Sequence, residues 1–113
     1  MATDPMRESF EGELGRALFH LYDPAFLRRS PLLHAFNLDR REDPVLELRQ
    51  LLNEAIEALK PDDDVPQQSG AWRIYRILFY RYTEQFTQRE VASDLGLSVR
   101  QLRREEKSAI AVL

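Results

Sequence analysis

Five side chains near the end of the chain, Arg100, Gln101, Arg103, Arg104 and Lys107, have the chemistry to read or grip a nucleic acid. Arginine presents two parallel N–H groups that match guanine O6 and N7. Glutamine pairs with adenine in the same two-point fashion, and lysine meets a phosphate as a point charge. Other chemistry is sparse. There is no cysteine, which removes disulfides and thiolate metal sites. His20 and His34 each lie in an apolar helical context without a Ser, Cys or acidic partner in a recognisable arrangement, and read as structural or surface histidines. The run Asp62-Asp63-Asp64 could attract a cation, but no further ligands are spaced around it, and a solvated linker is the plainer reading. With no Gly-rich phosphate loop or paired-carboxylate motif, the expectation is a protein that is not an enzyme and uses no cofactor and no metal.

A cationic cluster reads nothing unless a rigid element holds it out. The stretch that would do so is Thr87 to Leu113, TQREVASDLGLSVRQLRREEKSAIAVL. Thr87 and Glu90 stand three apart, the spacing at which a hydroxyl and a carboxylate reciprocally cap a helix start. Ser98 and Gln101 repeat it eleven residues later. Gly96 falls where the first helix must stop, in the left-handed conformation that costs glycine least. Val91, Ala92 and Leu95 give the first helix an apolar face, Leu97 plugs the turn, and Val99 and Leu102 face back from the second helix. Ala92 supplies the small side chain that a steep helix crossing needs. The pattern predicts a helix-turn-helix, whose second helix is of the kind that enters the DNA major groove.

The rest of the chain is punctuated by proline. Asp4-Pro5, Asp23-Pro24, Ser30-Pro31 and Asp43-Pro44 are cap-plus-proline pairs that start helices. The first carries Phe10, Leu14, Ala17, Leu18 and Leu21 as one stripe, with Gly12 and Gly15 weakening it or marking a close helix contact. Two short helical turns follow over 24–29 and 31–36, anchored by Phe26, Leu27, Leu32, Leu33 and Phe36. A longer helix from Asp43-Pro44 to about Leu59 turns Val45, Leu48, Leu51, Leu52, Ala55, Ile56 and Leu59 to one side. Residues 61–70, with two prolines, three aspartates and a glycine, read as a linker. A helix from about Ala71 to Gln85 then presents Trp72, Tyr75, Leu78, Phe79, Tyr82 and Phe86 as a broad apolar face. Aromatics interleaved with arginine can stack single-stranded bases, but this spacing marks them as the floor under the last two helices.

The expected class is therefore all-α, five to six helices in one small protein. It divides into an acidic helical subdomain over 1–60, a linker over 61–70 and a trihelical helix-turn-helix unit over 71–113. The net charge of −3 speaks against nucleic acid only as a total. Residues 1–70 hold eight Lys/Arg against fourteen Asp/Glu, or −6, and residues 71–113 hold eight against five, or +3. Phosphate attraction follows the local field. No run approaches the roughly 18 apolar residues of a membrane span, and no basic-then-apolar leader opens the chain, so a cytoplasmic location with no membrane contact is expected.

From about residue 74 to 113 the chain resembles region four of bacterial sigma factors and the related LuxR-type DNA-binding domains. The residues that carry the likeness are ILFYRYTEQFTQREVASDLGLSVRQLRREEKSAIAVL: an aliphatic-rich helix ending in Arg81-Tyr82, then Thr87-x-x-Glu90-Val91-Ala92. The turn is Leu95-Gly96-Leu97-Ser98, and Ala109, Ile110 and Leu113 form the apolar tail. The resemblance implies a bacterial transcription regulator bound to double-stranded DNA. It places Val99, Arg100, Gln101, Arg103 and Arg104 toward base edges and Lys107 toward the backbone, with Ser98 also among the DNA-binding residues. Thr87, Gln88 and Arg89 would hold a phosphate at the preceding helix start. Glu105 and Glu106 depart from a pattern that places at least one apolar residue between Leu102 and Ala109; they are expected to repel phosphate or to pair with Arg103 and Lys107. Residues 1–60 lie outside the resemblance. The alternative expectation is a protein-interaction module that docks on RNA polymerase or forms a homodimer, with the acidic half acting as a partner surface or as a clamp over the basic helix. Because the chain stops at Leu113 inside an apolar helical run, a segment of a longer regulator is expected.

Overall fold

The computed structural model describes the backbone of residues 5–113 and the side chains of residues 8–113. The Asp4 cap expected before the first helix lies outside them. The described residues are all-helical, with no strand, and form seven α-helices and one π-helical turn. The count exceeds five or six because both short proline-led turns close into helices. None of the helices is long and apolar enough to cross a membrane.

The chain packs as two units that divide between Leu52 and Asn53. The first contains α1 (Pro5–Phe19), α2 (Pro24–Arg28), α3 (Leu32–Ala35) and the opening turns of α4 (Pro44–Ala58). Asp23 and Asp43 cap as their spacing predicts, accepting from the backbone N–H of Phe26 and Leu46. Ser30 works differently. Its hydroxyl accepts from the N–H of Leu32 within a buried turn, and Pro31 is the residue that leads into α3. Leu14, Ala17, Leu18 and Leu21 are buried along the α1 stripe, as are Leu27, Leu32, Leu33, Leu38, Val45, Leu48 and Leu52. Phe10 and Leu51 belong to the expected stripes but stay exposed. The Arg49 Nε–H donates to the Leu21 carbonyl at 2.8 Å and its guanidinium lies over Tyr22, fastening α4 to the end of α1. Gly12 marks no close crossing, since a Cβ there would first meet the flexible end of Arg16 at 3.6 Å.

In the second unit the segment expected to be a free linker is pinned. The Trp72 indole donates to the Val65 carbonyl at 3.0 Å, Arg76 donates to the Gln67 carbonyl at 3.0 Å, and Ser69 caps α5 (Gly70–Leu78) through the N–H of Trp72. The helix expected to continue to Gln85 stops being α-helical at Leu78. Residues Phe79–Thr83 form a π-turn, closed by the Glu84 N–H donating to the Phe79 carbonyl, one residue wider than an α-turn. Trp72, Tyr75, Leu78 and Tyr82 are buried as expected; Phe86 is exposed, and Ile77, outside the expected face, is buried. Ile77 belongs to the cluster with Val91, Ala92 and Leu102, against which Tyr80, Leu95, Leu97 and Val99 pack. So α5 buries a residue outside the expected face as well as those on it.

Candidate nucleic-acid interface

Two helices meet over that cluster. Helix α6 (Gln88–Leu95) and helix α7 (Val99–Val112) each begin with the reciprocal cap their sequences predict, Thr87 with Glu90 and Ser98 with Gln101. Gly96 ends α6 at φ 69°, in the left-handed region. There the N–H of Leu97 reaches the Ala92 carbonyl at 2.8 Å and that of Gly96 reaches Ser93, the paired closure that satisfies the last helical carbonyls. Only residues 96–98 separate the helices, so the direction of α7 is set by one left-handed residue, the apolar plug Leu97 and the cap Ser98.

Helix α7 has a clean division of faces. Leu102, Glu106 and Ala109 are buried, with Val99 partly buried beside them. Arg100, Arg103, Arg104 and Lys107, at i, i+3, i+4 and i+7, form another face, and all four are exposed. Among the described residues no ion pair or hydrogen bond engages the side chains of Arg89, Arg100, Arg104 or Lys107; the Ser108 hydroxyl donates only to the Arg104 carbonyl. Arg103 is tethered: its Nε–H donates to the Gln88 side-chain oxygen at 3.0 Å.

Several residues assigned to DNA are held in other ways. Val99 packs inward on the Ile77 cluster because it shares a face with Leu102. Gln101 folds back, its side-chain oxygen accepting from the Ser98 N–H at 3.3 Å, and the Ser98 hydroxyl is occupied as the cap. The Thr87 N–H donates to the Glu90 carboxylate at 3.1 Å and the Thr87 hydroxyl accepts from the Glu90 N–H. The negative group at the start of α6 is thus the chain's own carboxylate, and Thr87 is not the open anion site expected. The Gln88 side chain turns inward as well as toward Arg103, while Arg89 remains exposed.

The two acids that break the sequence pattern are structural. Glu106 is 5% exposed and its carboxylate collects three donors. The Arg81 Nε–H at 2.8 Å and the Tyr82 hydroxyl at 2.7 Å donate to Oε1, and the Gln88 amide at 2.7 Å donates to Oε2. A buried charge is tolerated when it is paired and hydrogen-bonded this fully. Burial first, then the charge and hydrogen bond of Glu106, push the Tyr82 hydroxyl well above its ordinary 10.0, against the pull of Arg81. Tyr75, which donates to Glu57, is raised to about 12, chiefly by burial and then by that bond and charge. Glu105 faces Arg73: Nη2 donates to Oε2 at 2.9 Å, and Nε lies 2.8 Å from Oε1 without a hydrogen-bonding angle. Neither acid pairs with Arg103 or Lys107. The sequence carried one hint of this, an acid at a position whose spacing from Leu102 and Ala109 is that of a buried residue.

Both histidines do have acidic neighbours, contrary to the sequence reading. His20 Nδ1 lies 3.6 Å from Asp23 and stacks on Phe26, and the exposed His34 lies 3.4 Å from Asp39. Asp62, Asp63 and Asp64 are exposed. No group of three or more His, Asp or Glu placed to hold a metal ion occurs among the described residues. No protein-family model, curated protein or solved structure matches the chain.

Proposed function

We propose that α5, the π-turn, α6 and α7 form a helix-turn-helix unit and that the protein binds double-stranded DNA as a bacterial, cytoplasmic transcription regulator, with α7 in the major groove. It acts by binding and not by catalysis. The observation that supports this best is the exposed row Arg100, Arg103, Arg104 and Lys107 on a helix anchored from behind by Leu102, Glu106 and Ala109. Three of those cations have no side-chain partner among the described residues, so their donors are available to phosphate and base edges without first breaking an ion pair there.

The test is to bind the whole chain to genomic DNA fragments, sequence what is retained, and titrate the recovered sites against salt. Affinity should fall steeply with salt. Lys107→Ala should reduce the slope of log K against log[salt] by about 1, and Arg100→Ala should relax preference at one base position. Retention that ignores both substitutions sinks the reading.

A second reading draws on the first unit. Phe19 is 67% exposed, with Tyr22, Leu46 and Leu51 also open, so this unit could meet RNA polymerase or a second copy. If that is the main function, Phe19→Ser abolishes partner capture while Arg100→Ala leaves it intact.

A further inference from the structure

Among the described residues, Arg103 alone of the four cations of the α7 face is held by another side chain, and the way it is held follows from what lies beneath. The Glu106 carboxylate can only accept, so the Gln88 amide must turn its NH2 group inward, to Oε2 at 2.7 Å. That fixes which way the amide points. Its oxygen is left facing outward, where it accepts from the Arg103 Nε–H at 3.0 Å. Arg81 and Tyr82, both on Oε1, keep the carboxylate from turning. The chain of bonds thus runs from the π-turn through a buried acid and a half-buried amide to an exposed guanidinium. With Nε occupied, the two terminal nitrogens of Arg103 are the free edge, and the guanidinium plane is set before any ligand arrives.

We infer that Gln88 and Glu106 are positioning residues that orient Arg103 as a preset sequence-discriminating side chain of α7, while the untethered Arg104 and Lys107 supply affinity that is less dependent on sequence. This rests on the DNA-binding reading above. A preset arginine loses less freedom on pairing with a guanine than a mobile one does, so the tether acts on discrimination more than on attraction. Gln88→Ala removes the tether and keeps every charge; Arg103→Lys removes the Nε–H and keeps the charge at an exposed position that cannot unfold the chain.

The experiment has two arms, each on the full chain. In the first, the side-chain Nε–H resonance of Arg103 is followed by NMR in free protein. It should be observable and protected from exchange in the wild type and collapse into fast exchange in Gln88→Ala, with backbone amides of α6 and α7 unchanged. In the second, wild type, Gln88→Ala and Arg103→Lys are selected against a randomised duplex library. Both variants should lose, at the same base position, the roughly 5- to 150-fold preference that a bidentate arginine–guanine pair provides, with the salt slope unchanged. An Arg103 Nε–H that exchanges equally fast in wild type and Gln88→Ala overturns the tether. A base preference that survives in Gln88→Ala overturns the positioning role, even with the tether present. Absence of salt-dependent duplex binding by the wild type removes the parent reading, and the discriminating role with it.

Discussion

At the scale of single residues the second unit turns on Glu106. Removing one partner of a buried pair strands the other, which costs more than the pair itself contributes. Glu106→Leu leaves the Arg81 guanidinium, 11% exposed, without its carboxylate. It should lower stability by about 3–5 kcal/mol, read as a shift in urea midpoint. Tyr82→Phe strips one of three donors and should cost about 1–2 kcal/mol at neutral pH. The tyrosines also fix the alkaline limit. In the unfolded chain they release protons near 10.0, whereas folded Tyr75 holds its proton to about 12 and folded Tyr82 holds its own well above the ordinary value. Above pH 10 the unfolded state therefore binds fewer protons than the folded one, and stability falls as pH rises. The contribution is complete below pH 10 and is lost from there upward. Each tyrosine should account for up to about 1.4 kcal/mol between pH 10 and 11. Urea midpoints at pH 9 and 11 should show the loss, and Tyr82→Phe should shrink it.

At the scale of elements, what could be read from sequence was what is local. Both caps join a hydroxyl to a group three residues on, and Gly96 announces its own backbone, so the boundaries of α6 and α7 follow from composition alone. The π-turn could not be read that way. Its residues satisfy helical spacing, while the groups that reward the departure, Glu106 for Arg81 and Tyr82, lie 24 or 25 residues away. A separation of 18 residues likewise hid the inward turn of Gln88 toward Glu106, which sequence assigned to phosphate. Backbone strain gives two checks of opposite sign. Gly96→Ala adds a Cβ that meets nothing within 4 Å, so its cost is purely conformational, about 1 kcal/mol. Gln85 sits at φ 61°, and Gln85→Gly should raise stability by up to about 1 kcal/mol. Thermal unfolding of the two variants, side by side, should move the midpoint in opposite directions.

At the scale of the whole molecule, charge does not follow the structural division. Counted from Asn53, the second unit holds nine Lys/Arg against ten Asp/Glu, a net of −1. Much of the acid excess of residues 1–70 falls at Glu54, Glu57 and Asp62–Asp64, within the same unit as the cationic face of α7. Any acidic restraint on phosphate binding therefore originates partly within that unit. Replacing Asp62, Asp63 and Asp64 by asparagine takes the unit to +2 and should tighten duplex binding several-fold at low salt. The gain should fade as the Debye length drops toward about 3 Å near 1 M salt. Equal affinity at low salt would show that the loop's field does not reach the ligand.

The split of α7 into an inward row and an outward row also bears on redesign. A protein engineer could rewrite the side chains at positions 100, 104 and 107 with little cost to folding, since no side chain among the described residues pairs with them. Position 103 is different, because a replacement there must be chosen together with position 88. A graft that imports a foreign helix whole, with an aliphatic residue in place of Glu106, would strand Arg81 and carry that loss of stability into any measurement of its target preference.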